Sequence, residues 1–447
     1  MGKIREFITL KLLMPLADIK FHTYMPQWYR RLKHMSSWKP DEVKKWQETE
    51  LHKLVHTAYH HSVYYRELFD SLNIKPEDIQ TVKDLELIPP LTKEIIRDRF
   101  NDILLDTHRE YHYKNASTGG STGDPIRYVK DNISWGFDTA FNITMWQRTG
   151  YRYGDKFLAL GSSSLFPTNK KSRLHNLYYG LKRKYPFNAM NLSEEVLQKC
   201  VDFVKKEDIH FIYGYASSIY LLAKYVLEKG IEKELSIQAC FCTSEVLTDV
   251  YRSNIVKAFN CHILDAYGAN DGGIVAHKLD DEEGYKLGYN CLVQVRRLTG
   301  ETSEFGPALL TDLTNTVFPF IRYELGDVLQ LSEGYNDFHN GQVLTKVVGR
   351  TSDIIELENG HNLTGPGFTI LFKDLNVIGY RMYKSAPLEI TVEVVKGYGY
   401  TDAEEELIRQ TVLKHAGNEC RVIIKYAEKL VNRKNGKSLF FTVGVRG

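Results

Sequence analysis

The chain has 447 residues, of which 43% are hydrophobic and 26% are charged, and its formal net charge is +2. This length predicts two or more folding units, and the near-neutral charge gives no reason to expect a nucleic-acid partner. No apolar run reaches the roughly 18 residues of a membrane-spanning helix, so the sequence predicts no membrane span.

Residues 1–21 are interrupted by charged side chains and by Pro15, a pattern unlike that of a signal peptide. We expect the apolar side chains of this segment to pack a helix against the body of the protein. The alternative is weak peripheral attachment to a membrane surface. The apolar residues concerned are Ile4, Phe7, Ile8, Leu10, Leu12 and Leu13.

The rest of the chain predicts an α/β fold with a large N-terminal domain and a small C-terminal domain. Residues 1–110 are helical in pattern, with a break at Pro89 and Pro90. Short apolar runs then alternate with helical stretches, which is typical of a parallel α/β sheet with ligand loops at its strand ends. These runs are residues 156–161, 209–215, 237–243 and 261–268.

The later part of the large domain is rich in strands from about residue 285 to 348, and Gly, Asn and Asp turns between them predict an antiparallel subdomain. Residues 354–447 predict a small α+β unit. Within the α/β part, Tyr213–Ser218 can either face a substrate pocket or begin a helix that is capped by Ser217 or Ser218.

A loop of small residues is the most informative local feature. It predicts a phosphate-binding loop, because glycine lets the backbone approach an anion and the hydroxyls add hydrogen bonds. A lysine does not follow the last glycine, so the loop is not a Walker motif. A ligand-free turn is the alternative. The loop residues are Ser117, Thr118, Gly119, Gly120, Ser121, Thr122 and Gly123.

Five further motifs follow this loop in order. With it they resemble the adenylate-forming enzymes, specifically the phenylacetate-CoA ligase-like branch, which includes proteins of capsular polysaccharide clusters. The resemblance covers nearly the whole chain, and its order makes it specific. The motifs are Thr243–Val246, Asp265–Gly273, Arg322–Asp327, Gly349–Asp353 and Asn435-Gly436-Lys437.

The resemblance implies an enzyme that forms an acyl-adenylate from a small carboxylic acid, with ATP and Mg²⁺ as cofactors and coenzyme A as the acceptor. It also implies a cytoplasmic location and a possible homodimer. The alternatives are an acceptor other than coenzyme A in capsule or polysaccharide biosynthesis, and a degenerate scaffold that only binds AMP or ATP.

The nucleotide site implied by the resemblance includes Tyr267 against adenine, Asp327 on the ribose hydroxyls and Arg350 near the ribose or phosphates. Asp271 stands where relatives usually have glutamate and would hold Mg²⁺, while Asn270 replaces a hydroxyl residue near the α-phosphate. The remaining residues of the nucleotide pocket would be Ser244, Glu245, Ala266 and Gly268. For Asp271 and its neighbours, an ordinary Asn-Asp-Gly-Gly turn is the alternative interpretation.

The C-terminal unit carries the implied catalytic lysine, Lys437, since only this lysine follows the Gly-Lys pattern of the family. Lys429 and Lys434 are the alternatives. Residues 350–353 would form the hinge, with Asp353 at the hinge position, so that the mobile unit delivers Lys437 in one orientation and withdraws it in the other.

Six cysteines at irregular spacing do not suggest a disulfide framework in a chain of this length, and reduced thiols are expected. Cys240, Cys242, Cys261 and His262 could bind zinc. Because they lie in apolar runs that predict neighbouring buried strands, core packing is the preferred interpretation.

Overall fold

The structure is a computed structural model. It describes residues 6–118, 126–161, 183–188, 192, 194–296, 305–332, 343–350, 354–358, 362–364 and 375–428. The α-helices of this part are α1 (Met14–Phe21), α2 (Met25–Met35), α3 (Pro40–His61), α4 (Val63–Leu72), α5 (Lys93–Asp98), α6 (Phe100–Ile103), α7 (Asn132–Trp146), α8 (Glu194–Glu207), α9 (Ala216–Lys229), α10 (Asp249–Phe259) and α11 (Asp402–Ala416).

The strands of the large unit begin with a hairpin and continue through the predicted α/β region. They are β1 (Tyr113–Ser117), β2 (Arg127–Asp131), β3 (Phe157–Gly161), β4 (Lys184–Asn188), β5 (Phe211–Tyr215), β6 (Ala239–Thr243), β7 (His262–Gly268), β8 (Val275–Leu279), β9 (Tyr285–Leu287), β10 (Cys291–Val295), β11 (Phe305–Asp312), β12 (Tyr323–Leu331) and β13 (Val343–Arg350). The remaining strands are β14 (Ile354–Glu356), β15 (Asn362–Thr364), β16 (Val377–Ala386), β17 (Glu389–Lys396) and β18 (Arg421–Tyr426).

One sheet of 11 strands forms the centre of the large unit, in the order β10-β11-β12-β13-β9-β8-β7-β6-β5-β3-β4. Strands β4, β3, β5, β6 and β7 are parallel, and every pair from β7 to β10 along the sheet is antiparallel. The predicted parallel and antiparallel parts are therefore confirmed. They share one continuous sheet, and β7 is the strand at which the direction of pairing changes.

The parallel half of the sheet is buried on both faces, as its alternating side chains show. Phe211, Ala239 and Phe241 face one core with Trp146 of α7, whereas Ile212 and Cys240 face a second core under the helices that follow the strands. A parallel strand covered on both faces has a nearly continuous apolar sequence. This explains why periodicity identified these strands as short apolar runs.

The helices before Pro89 wrap around the large unit, and α2 packs along α7. This contact requires glycine at position 136, because a Cβ there would lie 2.1 Å from the backbone oxygen of Thr23. The helix α7 begins at a side-chain cap, since the Asp131 carboxylate accepts a hydrogen bond from the Ser134 backbone N–H at 2.8 Å. The described residues of 1–110 fold mainly into the helices α1–α6.

The small C-terminal unit contains a three-stranded sheet in the order β16-β17-β18, with β17 and β18 parallel and joined through α11. Its core includes Met382, Ile390 and Val392 from the sheet and Ile408 from the helix. The helix begins with a capping box, in which Thr401 and Glu404 satisfy each other's backbone N–H groups. The predicted α+β character of this unit is confirmed.

All six cysteines lie in described residues, and none of them forms a disulfide. Cys240 and Cys242 are fully buried in the second core of the parallel sheet. Over the described ranges, no group of three or more His, Cys, Asp or Glu side chains is placed to hold a metal ion. Core packing therefore accounts for the Cys-x-Cys pattern.

No helix among the described residues combines the length and the apolar character needed to cross a membrane.

Candidate functional site

Four of the motifs meet on the described structure at the edge where the parallel strands end. Ser244 directly follows β6, Tyr267 and Gly268 end β7, and Asp327 and Arg350 lie on the paired strands β12 and β13. The carboxyl ends of parallel strands are where open α/β sheets bind ligands.

The predicted adenine and ribose residues are in direct contact. The Tyr267 hydroxyl donates a hydrogen bond to the Asp327 carboxylate at 2.7 Å. Across the β12–β13 ladder, Asp327 is the register partner of Arg350, so the backbones of all three residues converge. The side chain of Arg350 lies outside the described part of the structure. This geometry places the acid predicted to bind ribose beside the ring predicted to lie against adenine.

Ser244 has a backbone φ of +66°, in the left-handed region that favours glycine. Serine therefore adopts this turn at the cost of some backbone strain. The next residue, Glu245, accepts a hydrogen bond from the Ser217 backbone N–H at 2.9 Å. That contact ties the turn after β6 to the first turn of α9.

The start of α9 differs from the capping alternative considered for Tyr213–Ser218. The helix begins at Ala216, and its cap residue Tyr215 makes no side-chain capping hydrogen bond. Neither Ser217 nor Ser218 caps it, because both already lie inside the helix. An acidic side chain from the neighbouring loop, Glu245, provides the acceptor at this helix N-terminus, where negative charge is favourable.

Asp271, the predicted metal ligand, lies in a turn after β7, and one of its carboxylate oxygens accepts a hydrogen bond from the Tyr323 hydroxyl at 2.8 Å. The following glycines have φ values of +79° and +70°. At Gly273 a Cβ would lie 2.1 Å from the Asp312 carboxylate, so only glycine is accommodated. The sequence is thus a turn, and this turn presents Asp271 next to the β12 strand that carries Asp327.

Burial raises the pKa of Tyr323, and the charge of Asp271 raises it further. Tyr323 therefore remains a neutral hydrogen-bond donor to that carboxylate over the whole physiological range of pH. The arrangement orients Asp271 without adding a charge to the site.

Sequence reasoning missed Lys130, which is fully buried beneath this turn. Its ammonium group forms an ion pair with Asp138 at 2.6 Å and donates to the Asn270 backbone oxygen at 3.4 Å. Burial lowers the pKa of Lys130, but the carboxylates of Asp138 and Asp312 outweigh it and the net change is upward. The strand β2 reads Arg-Tyr-Val-Lys-Asp, so its sequence gives no signal that this lysine is buried.

The carboxylates around Lys130 form a buried polar layer that also holds the β11–β12 connection. Asp312 accepts hydrogen bonds from the Thr314 backbone N–H at 2.9 Å and from its hydroxyl at 2.7 Å. Asp131 accepts one from the Thr316 backbone N–H at 2.9 Å, and burial raises its pKa to about 7. Because backbone N–H groups donate hydrogen bonds to these carboxylates, the turn and the strands beneath it form a rigid platform.

Residues 88–92, which precede the predicted phosphate loop in the sequence, form hydrogen bonds with the beginning of β12. The Leu91 backbone N–H donates to the Arg322 oxygen at 3.0 Å, and the Glu324 N–H donates to the Leu91 oxygen at 3.0 Å. Arg322 has a φ of +52° and its guanidinium group donates to the Ile88 backbone oxygen. The Ile-Pro-Pro-Leu-Thr sequence thus anchors the beginning of the strand that carries Asp327.

The predicted phosphate loop is the connection of the β1–β2 hairpin. Ser117 is the last residue of β1 and pairs with Arg127. The Thr118 backbone N–H donates to the Ile126 oxygen at 3.0 Å, and the Thr118 hydroxyl accepts from the Ile126 N–H at 3.1 Å. The two strands are therefore joined by hydrogen bonds at Thr118 and Ile126, the described residues on either side of the rest of the loop.

Several predicted residues lie outside the described part of the structure: Gly119, Gly120, Ser121, Thr122, Gly123, Asp353 and Lys437. The alternative lysines, Lys429 and Lys434, are outside it too. Their roles stay predictions from the sequence. Ala266 lies in β7, where it pairs with Thr243, and so belongs to the same strand ends as Tyr267.

The large unit is an α/β fold in which the motifs converge at the carboxyl ends of the parallel strands. Among solved structures, 2-hydroxyisobutyryl-CoA ligase, determined in the postadenylation state with 2-HIB-AMP, has a TM-score of 0.66 over 91% of this chain and 90% of its own, at 16% identity. At this level of identity the likeness is one of fold. No protein-family model matches the chain.

Sequence relatives give the more specific relationship. Protein CapK of Staphylococcus aureus is 25% identical over 300 residues, which are 66% of this chain and 65% of CapK. A phenylacetate-coenzyme A ligase of Thermus thermophilus is 23% identical over 337 residues, or 70% of this chain and 72% of the ligase. The homologues of this chain therefore include CapK and phenylacetate-CoA ligases, and its structural neighbours are CoA ligases of the adenylate-forming superfamily, as the motifs predicted.

Proposed function

We propose that this protein is an ATP-dependent ligase that converts a small carboxylic acid to an acyl-adenylate and transfers the acyl group to coenzyme A. The contact between Tyr267 and Asp327 is the observation that carries this proposal, because motifs 60 residues apart in sequence meet at the carboxyl end of the parallel strand β7. The relationship to phenylacetate-coenzyme A ligases supports the choice of reaction.

In this proposal the adenine lies against the ring of Tyr267 and the ribose lies beside the β12–β13 pair. Asp327 accepts hydrogen bonds from the two ribose hydroxyls, and its bond from Tyr267 fixes the orientation of the carboxylate. Arg350, on the neighbouring strand, supplies a planar donor for the ribose or the phosphates. Glu245 and Ser244 shape the adenine side of the pocket through the turn that is tied to α9.

The loop from Ser117 to Gly123 holds the β and γ phosphates through backbone N–H groups and hydroxyls. Mg²⁺ is compatible with the residues of the turn, since Asp271 offers a carboxylate there and Mg²⁺ is commonly held by one or two carboxylates together with substrate phosphates. The ion would neutralise phosphate charge near Asp271. Lys130 supports the Asn270 backbone from below and so fixes the position of this acid.

Lys437 is proposed as the catalytic residue of adenylation. It would bring positive charge to the carboxylate and the α-phosphate, where charge develops in the transition state, and loss of such a contact costs on the order of a hundredfold or more in rate. Residues 350–353, with Asp353, form the proposed hinge between the core of residues 111–349 and the unit of residues 354–447. Rotation at the hinge would exchange Lys437 for the acceptor thiol.

We place the reaction in the cytoplasm, where ATP and coenzyme A are available, and we propose a homodimer as the working assembly. A second function follows from one specific observation. Because the Tyr323 hydroxyl already donates to one oxygen of Asp271, this carboxylate could serve the turn rather than a metal ion. The chain would then be a nucleotide-binding scaffold without adenylation activity.

Acid-dependent exchange of labelled pyrophosphate into ATP tests the first half-reaction. Pools of aromatic, aliphatic, hydroxy and amino acids are supplied with Mg²⁺, and an active pool is then incubated with coenzyme A and analysed for an acyl thioester by mass spectrometry. Exchange followed by a thioester is expected. Exchange without a thioester would redirect the acceptor to an amine, a hydroxyl or a carrier.

Lys437→Ala should lower the exchange rate by about a hundredfold or more while AMP binding persists. Lys425→Ala removes an exposed lysine from β18 of the same unit and is the matched control. If all pools fail to support exchange although calorimetry detects AMP binding, the scaffold function replaces the ligase. If Lys437→Ala exchanges at the wild-type rate, the assignment of this lysine is wrong.

A further inference from the structure

Two cysteine sulfur atoms lie next to each other beside the second core of the large unit. Cys240 is the second residue of β6, and Cys261 directly precedes β7. The Cys261 thiol donates a hydrogen bond to the Cys240 sulfur, and the two Sγ atoms are 3.7 Å apart. A disulfide has an S–S distance of about 2.0 Å, so the two sulfurs need to approach each other by only about 1.7 Å to become bonded.

The sheet holds the backbone around both cysteines. Strands β6 and β7 are parallel, with Cys240 opposite Ile263. The His262 backbone N–H also donates to the Gln238 oxygen at 3.0 Å. Cys261 itself belongs to the two-residue connection between α10 and β7. Because this connection lies outside the paired strands, the Cys261 side chain can move towards Cys240 while the hydrogen bonds between β6 and β7 stay intact.

The two thiols differ in their access to solvent. Cys240 is fully buried, whereas Cys261 is partly exposed. Cys261 lines an open cavity of about 670 Å³, whose walls also include Arg252, Asn260 and His262. A small oxidant dissolved in water therefore reaches Cys261 first. Cys240 has no exposed surface, so the group that can react with it is the sulfur beside it.

The protonation of Cys240 gives the same order of reaction. Burial raises the pKa of the Cys240 thiol, and its hydrogen bond with Cys261 raises it further. Cys240 is therefore protonated at physiological pH, and a protonated thiol attacks an oxidant poorly because the thiolate is the nucleophile. Its contact with Cys261 offsets this low reactivity, since a reaction between two groups held together is favoured by proximity. Cys261 thus takes the first step and Cys240 the second.

We propose that Cys240 and Cys261 are an oxidation-sensitive pair, which a hydroperoxide converts to a disulfide between β6 and β7. In the first step the Cys261 sulfur attacks hydrogen peroxide, the O–O bond breaks, and a sulfenic acid and water form. In the second step the Cys240 sulfur attacks the sulfenic sulfur. The S–S bond forms, the S–O bond breaks, and the proton of Cys240 leaves with the hydroxyl group as water. The two thiols together lose two electrons, and one peroxide is reduced to two waters.

The disulfide would join β6 and β7 at the ends opposite the candidate nucleotide site. Cys261 precedes Tyr267 by six residues, which corresponds to about 20 Å along β7. Exchange with a reduced thiol would open the disulfide again. In a reducing compartment the cross-link is therefore a transient response to peroxide rather than a permanent part of the fold. This modification is independent of the proposed adenylation reaction.

Mass spectrometry of the full-length protein tests the proposal. The reduced protein is treated with hydrogen peroxide, unfolded, alkylated with iodoacetamide and digested. We expect the intact mass to fall by two hydrogen atoms, alkylation of Cys240 and Cys261 to be lost, and a cross-linked peptide to join these two residues. Dithiothreitol should restore alkylation of both.

Variants separate the two steps. In Cys240→Ala the second thiol is missing, so Cys261 should gain oxygen and form no cross-link. In Cys261→Ser the buried Cys240 should stay reduced. The matched control is Cys242→Ala, which removes another fully buried cysteine of β6, about 6.6 Å further along the strand than Cys240. This control should keep the cross-link between Cys240 and Cys261. Thermal melting establishes that each variant is folded.

Three results would overturn the proposal. The first is a wild-type protein in which Cys261 gains oxygen without a cross-link. The second is a cross-link that joins Cys261 to Cys242 instead of Cys240. The third is a protein that keeps both thiols reduced at peroxide concentrations that oxidise free glutathione in the same solution. The wild type and Cys261→Ser are sufficient to decide between these results if Cys240→Ala fails to fold.

Discussion

The hydrogen bond from Tyr267 to Asp327 can be tested by removing one oxygen atom. Tyr267→Phe keeps the ring that is proposed to lie against adenine and removes the donor that holds the carboxylate at 2.7 Å. A hydrogen bond to a charged group contributes about 1.5–3 kcal/mol. If nucleotide binding uses the orientation that this bond provides, the smaller value corresponds to a KM for ATP raised about tenfold.

Steady-state pyrophosphate exchange measures this effect, with KM for ATP and kcat determined separately. We expect KM to rise and kcat to change less than about twofold, because the bond is present before and during the reaction. Asp327→Asn should raise KM more, by about a hundredfold, since the charged acceptor for the ribose is lost. The double variant Tyr267→Phe/Asp327→Asn should resemble Asp327→Asn alone, because the two residues act through one contact.

Tyr285→Phe is the matched control. The Tyr285 hydroxyl donates to the Asp265 carboxylate at 2.5 Å. This is a similar hydrogen bond to an acid of β7, but neither Tyr285 nor Asp265 is proposed to contact the nucleotide. It should lower stability without raising KM for ATP. Strictly additive effects of Tyr267→Phe and Asp327→Asn would refute the coupling, and so would an unchanged KM in a folded Tyr267→Phe variant.

Three further predictions concern buried residues of the large unit. Gly273→Ala should destabilise the protein by about 2–4 kcal/mol and lower the exchange rate, because its Cβ would meet the Asp312 carboxylate at 2.1 Å. Gly230 has a φ of +64° and open space around it, so Gly230→Ala should cost only about 1 kcal/mol of stability. Equal losses of stability in urea unfolding would contradict the clash at Gly273. Lys130→Met should lower the free energy of unfolding by about 3–5 kcal/mol, because it leaves Asp138 buried without its cation. The double variant Lys130→Met/Asp138→Leu should recover most of that stability. A double variant less stable than the single one would argue against the ion pair. Burial, together with Arg148, lowers the pKa of His277 to about 3, so this histidine is neutral in the folded state while the unfolded chain binds a proton below about pH 6.5. Its contribution to stability is therefore constant above pH 6.5 and decreases as the pH falls towards 3, by about 2 kcal/mol at pH 5; urea unfolding of His277→Leu should lack this decrease, and parallel pH profiles for variant and wild type would exclude it.

The central parallel strands, the motifs and the order of the motifs could be predicted from the amino-acid sequence alone. Apolar runs such as residues 237–243 identified β6, because a strand covered on both faces has few polar positions. Asp271 and Asp327 were singled out because they lie within the motifs that carry the family resemblance, whereas each alone would be an ordinary acid in a turn. The family resemblance depended on these same local features, and the relatives confirm it.

Contacts between segments that are distant in sequence became visible only in the folded structure. Tyr323 and Asp271 meet only when β12 and the turn after β7 are brought together, and the sequence interval between them gives no sign of it. Lys130 is an ordinary-looking lysine until folding buries it next to Asp138 and below Asn270. Pairwise electrostatics and burial depend on three-dimensional distance, so local pattern could not supply these contacts.

The segment of residues 6–21 shows the same division between sequence and structure. Its apolar residues were visible in the sequence, but they allowed either packing on the body or attachment to a surface. The fold uses Met14 and Leu10 for packing and leaves Leu12, Leu16 and Ile19 exposed. Which apolar residues become buried is set by the surface available on neighbouring helices, and that surface exists only after the chain has folded.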